Sequence, residues 1–115
     1  IHYEVVNICT GDMGTVAAKK YDLEAWIPGA DQYKEIVSCS NCTDYQANRL
    51  SIRYGQPGHP NQPIVHTLNS TAVATSRALV AIMEQYQLDD GRVAVPDVLQ
   101  PYMDGQTVLE PCNWG

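Results

Sequence analysis

The clearest alternation in the chain runs over residues 21–27. Tyr21, Leu23, Ala25 and Ile27 fall on one side, and Asp22, Glu24 and Trp26 on the other. Period two of this kind marks a half-buried β-strand. Pro28-Gly29-Ala30-Asp31 follows as turn chemistry, with Pro fixing φ and Gly free to take a positive φ. Residues 33–40 supply a second strand, and the two read as an antiparallel hairpin with a loop slightly longer than the tightest kind. Upstream, residues 3–8 are compatible with a short strand. Gly11-Asp12-Met13-Gly14 punctuates it, and residues 15–20 are compatible with a short helix.

Residues 43–50 can form a short helix with Thr43 or Asn41 as the cap, and residues 51–54 another strand. Three Pro and two Gly between residues 55 and 63 predict a surface loop. Over residues 64–70 alternation returns, with Thr67, Asn69 and Thr71 on one side and Ile64, His66 and Leu68 on the other. The strongest helical signal covers residues 71–87, where Ala72, Leu79, Ile82, Met83 and Tyr86 form an apolar stripe. Asp89-Asp90-Gly91 ends it. Pro96 is placed to open a short helix over residues 96–102, and residues 107–109 are a possible final strand. Antiparallel strands carrying one long helix predict an α+β fold.

With 115 residues the chain is one domain. It holds no run of eighteen apolar residues and no basic-then-apolar start of the secretory kind. Its first residue is Ile1 and not Met, which raises the expectation of a piece of a longer protein. Seven basic against thirteen acidic residues give a formal charge of −6. Phosphate-binding surfaces are usually basic, so an independent nucleic-acid binder is not expected. Four cysteines are too few for a disulfide scaffold. Cys39 and Cys42 form a Cys-x-x-Cys, but no second paired spacing completes a zinc site and no βαβ unit accompanies it. Reduced thiols are the expected state, with metal or redox chemistry as the competing class.

Two constellations carry candidate chemistry. Thr67, Asn69 and Thr71 share a sheet face, and Arg77 follows in the expected second turn of the helix, off its apolar stripe. An amide, two hydroxyls and a guanidinium converging there would suit a small polar ligand and a polyanion, because Arg recognises phosphate oxygens in pairs. The plainer alternative is that Asn69 or Thr71 caps the helix and Arg77 is solvated. Glu35 and Ser38 form the second constellation. A carboxylate beside phosphates acts through a divalent cation such as Mg²⁺. Strict alternation places Glu35 and Ser38 on opposite faces, so joint contact with a ligand requires a bulge between them or a backbone contribution.

Three blocks of sequence bear a family likeness. Asn7-Ile8-Cys9-Thr10-Gly11-Asp12-Met13-Gly14 with Ala17-Ala18-Lys19-Lys20-Tyr21-Asp22-Leu23-Glu24-Ala25-Trp26-Ile27-Pro28-Gly29 is the first, and Glu35-Ile36-Val37-Ser38-Cys39-Ser40-Asn41-Cys42-Thr43-Asp44-Tyr45-Gln46-Ala47 the second. The third, His66-Thr67-Leu68-Asn69-Ser70-Thr71-Ala72, continues to Thr75-Ser76-Arg77. In order, they resemble the seryl-tRNA synthetases, class II enzymes, in the archaeal style. The third block resembles motif 3, and the likeness covers residue 1 to about residue 111. It implies the C-terminal part of a catalytic domain, an antiparallel sheet with a long motif 3 helix.

The resemblance implies ligase chemistry: serine and ATP form seryl-adenylate, and the seryl group passes to tRNA(Ser). By motif position Arg77 would bind the ATP phosphates, and Glu35, Ile36, Val37 and Ser38 would contact ATP. Glu35 would lie near Mg²⁺ and the α-phosphate, while Asn69 and Thr71 would face serine. It further implies a cytoplasmic homodimer without a membrane segment, and no metal on the cysteine pair. Blocks corresponding to the tRNA-gripping arm, motif 1, motif 2 and the serine-ammonium pocket are absent. Asn48 stands where the family commonly has a basic residue, and residues 55–63 lack the charge expected there. The 115 residues alone are therefore expected to be inactive and not to hold tRNA. The alternative is a truncated homologue that binds a nucleotide or a protein partner.

Overall fold

The computed structural model describes residues 1–112. A four-stranded antiparallel sheet, in order β1-β2-β3-β4, is built from β1 (Tyr3–Asn7), β2 (Lys19–Ile27), β3 (Gln32–Thr43) and β4 (Thr67–Ser70). Helix α1 (Tyr45–Leu50) follows β3, and α2 (Thr75–Gln85) follows β4. Strands β5 (Val93–Ala94) and β6 (Val108–Leu109) pair as a small second sheet. The class is mixed α and β with antiparallel sheets, as expected. Among the described residues no helix is long and apolar enough to cross a membrane.

The β2–β3 hairpin is the centre of the fold. Ile27 pairs with Gln32, leaving a four-residue loop in which Asp31 takes the left-handed conformation at φ 49°. Gly29 donates its amide to Glu84 Oε2 at 2.7 Å, and a Cβ there would lie 3.1 Å from that oxygen. A side chain at Gly29 would press on the end of the Glu84 carboxylate, which would have to shift by a few tenths of an ångström. Behind the hairpin, Ala25, Ile27, Ile36 and Ala81 form the core, with Leu23 and Val37 packed on it. Ala81 is the one fully buried residue of α2, and facing alanines bring helix and sheet close together.

Several expected elements differ. The helix expected over residues 71–87 is eleven residues long, Thr75–Gln85. The amides of Thr71 and Ala74 instead donate to the carbonyls of Ser38 (3.3 Å) and Ile36 (2.8 Å), so the chain runs beside β3 before it can coil. Leu79, Ile82 and Met83 do not face the main sheet. They line a cavity of about 100 Å³ shared with Val93, Val95 and Leu109. Residues 15–20 form no helix, and β2 begins inside that stretch. Residues 51–54 contribute an isolated Arg53–Ile64 bridge in place of a strand. Residues 96–102 make a turn and the 3₁₀ segment Gln100–Tyr102, with Gln100 Nε2 bonded to Val95 O and Asp97 Oδ1.

The tight turn before β5 carries a titratable staple. Asp90 accepts the backbone N–H of Arg92 at 3.1 Å and its guanidinium Nε at 2.8 Å. These bonds, the backbone one foremost, hold the Asp90 carboxyl below its ordinary value of 3.8. A depressed carboxylate stabilises the fold above its unfolded pKa, and that contribution is lost as pH falls through the folded value. Opening of this turn is therefore expected only below about pH 4. An NMR titration of the Arg92 amide, with Asp90→Asn as the pH-insensitive control, checks it.

Candidate functional site

A bulge resolves the conflict between Glu35 and Ser38. Leu23 pairs with Val37 and Glu24 with Glu35, so Ile36 is an extra residue in β3. Ile36 and Val37 both pack toward α2, as the first two positions of a bulge commonly do. Glu35 and Ser38 consequently stand opposite Glu24 and Asp22, on the face that α2 leaves uncovered. One inserted residue converts opposite faces into a shared one.

The register lays out this face in rows. Lys20, Ser40 and Asn69 lie side by side across three strands, with Asp22 and Ser38 in the next row and Glu24 and Glu35 beyond. Asn69, expected among the site residues, is thus aligned with the Glu35–Ser38 face. Thr71 lies just past β4 and is tied to Ser38 through its amide. Neither Asn69 nor Thr71 caps the helix. The cap position is Ala74, which makes no side-chain bond.

Arg77 is in the first turn of α2, one turn earlier than expected. Its Nη1 donates to the Glu35 carbonyl at 2.8 Å and lies 3.5 Å from Glu35 Oε1. Arg77 is therefore held by its partner and not merely solvated. With their side chains 56% and 38% exposed, both groups remain open to a ligand. They line a groove of about 540 Å³ together with Ile27, Lys34 and Val80. Lys34 was not singled out from sequence, and it adds a second cation to the groove. A separate groove of about 360 Å³ is lined mainly by Lys19, Tyr21, Cys39, Asn41, Leu68 and Ser70, whose rows alternate with that of Asn69 and face the other way, and Ser40 and Asn69 only border it. The structure thus brings Glu35 and Arg77 into contact and places Asn69 apart from them.

Asp22 is a residue that sequence reasoning missed as a site candidate. It is 3% exposed, its Oδ2 lies 3.5 Å from Lys20 Nζ, and among the described residues its Oδ1 has no hydrogen-bond partner. The available signal was a carboxylate in mid-strand between Lys20 and Glu24. The four cysteines are free. Cys39 Sγ is 3.0 Å from Ser70 Oγ, and Cys42 is buried where a second register shift leaves it unpaired in β3. Among the described residues no group of three or more His, Cys, Asp or Glu could hold a metal ion by itself.

Comparison with known proteins gives the family of the chain. Residues 1–86 match the tRNA synthetase class II core domain (G, H, P, S and T). The serine–tRNA ligase of Archaeoglobus fulgidus is 61% identical over 105 residues, covering 90% of this chain and 23% of that protein. The crystal structure of seryl-tRNA synthetase from Pyrococcus horikoshii complexed with ATP superposes with a TM-score of 0.89 at 57% identity, over 96% of this chain and 25% of that one. Cytoplasmic serine-tRNA ligase from Naegleria fowleri in complex with AMP gives 0.88 at 52% identity, over 96% and 26%. The chain spans about a quarter of the length of the relatives it matches. The bulged hairpin, the strand carrying Asn69 and the helix carrying Arg77 all fall within the matched residues, and the chain belongs to the class II tRNA synthetase core-domain family.

Proposed function

We propose that these residues are the C-terminal part, including motif 3, of the catalytic domain of a serine–tRNA ligase in the archaeal style. The enzyme joins serine to ATP as seryl-adenylate and transfers the seryl group to tRNA(Ser). The observation that carries this reading is the likeness, in both sequence and fold, to the seryl-tRNA synthetase that was crystallised with ATP.

The chemistry demands positioning and charge neutralisation more than a protein nucleophile. Arg77, anchored by the Glu35 carbonyl, presents its remaining donors to the phosphates, and Lys34 lines the same groove. Ile36 and Val37 turn their side chains into the core, so they contact a nucleotide through backbone groups only, while Ser38 can also offer its hydroxyl. Asn69 and Thr71 take the serine side of the face. Glu35 fits as a single-carboxylate ligand of Mg²⁺, an ion that usually takes one or two carboxylates plus substrate phosphates. When bound, Mg²⁺ would supply charge neutralisation at the phosphate oxygens. The tRNA is gripped by parts of the enzyme outside these residues, and the working enzyme is a cytoplasmic homodimer.

Serine-dependent exchange of pyrophosphate into ATP tests the proposal, measured on the full-length protein that carries this segment. Exchange with serine, absent with glycine, histidine, proline or threonine, is the expected result. Exchange driven by one of those four and not by serine would sink it.

A further inference from the structure

Six of the seven basic residues have a partner inside the chain. Lys19 lies 4.9 Å over the Tyr21 ring, and Lys20 pairs with Asp22. Arg49 stacks on Tyr45, Arg53 donates to the Gln62 carbonyl, Arg77 to the Glu35 carbonyl, and Arg92 to Asp90. Lys34 is the seventh, and among the described residues its ammonium forms no ion pair and no cation–π contact. An exposed lysine alone is an ordinary solvated charge, and its position is what sets this one apart. It lines the groove of about 540 Å³ with Glu35, Arg77, Ile27 and Val80. Lys34 pairs with Ala25 on the side of the sheet that α2 covers, and Glu35 pairs with Glu24 on the open side. Strand β4 accompanies β3 only from Cys39 to Thr43. Before that, the carbonyls of Ser38, Ile36 and Glu35 are taken by Thr71, Ala74 and Arg77. The groove thus wraps the edge of β3, taking Glu35 from one face and Lys34 from the other.

We propose that Lys34 is a catalytic residue for the departure of pyrophosphate: its ammonium binds the β- and γ-phosphates of ATP and neutralises the charge that leaves with them. This rests on the reading that places serine by Asn69 and the α-phosphate by Glu35. A carboxylate oxygen of serine attacks the α-phosphorus. That P–O bond forms as the bond to the bridging oxygen breaks, and the electron pair of the broken bond departs with pyrophosphate. Attacking and leaving oxygens stand roughly in line across the phosphorus. Along β3 the order is Ser40 beside Asn69, then Ser38, Glu35 and Lys34. With serine approaching from the Asn69 side, the leaving group is directed past Glu35 to Lys34. Arg77 is already held by Glu35, so the most highly charged part of the substrate needs a further cation. Ile27 and Val80 give the groove apolar walls, which lower the local dielectric and strengthen the attraction.

The test uses the full-length ligase and serine-dependent pyrophosphate exchange. Lys34→Met is expected to raise the KM for pyrophosphate about tenfold and that for ATP about fivefold. The KM for serine should stay within about twofold of wild type. So should the affinity for a non-hydrolysable seryl-adenylate analogue, which fills the α-phosphate position but carries no pyrophosphate. Lys34→Arg, which keeps the charge, should hold the pyrophosphate KM within about threefold. Lys34 is exposed, so both variants should melt as the wild type does. An unchanged pyrophosphate KM in Lys34→Met overturns the proposal. An equal loss of affinity for the adenylate analogue overturns it too, because the effect would then not belong to the leaving group. Absence of serine-dependent exchange in the wild-type enzyme is a different failure, which removes the reading of the site on which the proposal rests.

Discussion

Replacing Arg77 by alanine in a full-length serine–tRNA ligase carrying this segment should lower serine-dependent pyrophosphate exchange by about 10²–10³-fold, the usual loss when one donor to developing charge is removed. The guanidinium is fixed before any ligand arrives, because Nη1 is bonded to the Glu35 carbonyl at 2.8 Å. On the proposed role no reorganisation is needed as the phosphates gain charge, and that preorganisation would be the source of the effect. Lysine should not rescue it, since a single ammonium cannot both keep the carbonyl bond and present a paired set of donors. Stability should barely change. The Arg77–Glu35 pair is more than a third exposed on both sides, and exposed pairs contribute about 0–1 kcal/mol. Exchange within threefold of wild type, in a variant with unaltered melting, would refute the role.

The placement of Arg77 shows how far sequence could reach. Its proximity to the Glu35 segment was expected only through the family resemblance, since local pattern gives no cross-strand register. Strands β2 and β3 were legible because alternation and the Pro28–Asp31 turn are local signals, and both survive in the structure. The bulge at Ile36 was legible only as one of two alternatives. The other is a backbone contribution from Glu35 or Ser38, and local pattern does not choose between them, because adjacent apolar residues such as Ile36 and Val37 also occur in regular strands. The face that α2 turns to the sheet is not legible in its apolar stripe, because Ala81 carries little hydrophobic signal. Leu79, Ile82 and Met83 carry more, and they face the segment around Val93 and Leu109. The helix start was misplaced for a tertiary reason. The amides of Thr71 and Ala74 find carbonyls on β3, and such long-range competition leaves no trace in local propensity.

Produced alone, the 115-residue chain should show no cooperative thermal transition and no measurable adenylate formation. A compact 12.7 kDa domain exposes about 6,200 Å², whereas this chain exposes 8375 Å². Its radius of gyration is 20.6 Å, against about 13 Å for a compact chain of this length. The missing burial is visible residue by residue. Tyr3 and Val5 on β1, Leu68 on β4 and Leu79 on α2 are each more than half exposed. Among the described residues the largest fully buried side chain is Cys42. So thin a core cannot offset the conformational entropy of ordering the chain. In a full-length ligase of the kind proposed above, polypeptide outside these residues would cover those faces, making folding of this segment and assembly of the site one event. Circular dichroism melting, urea titration and binding of a hydrophobic dye measure this directly. Joining the segment to the rest of the ligase should restore a sharp transition together with exchange activity. A monomeric isolated chain melting cooperatively above about 50 °C, in the range of ordinary small domains, would contradict the argument.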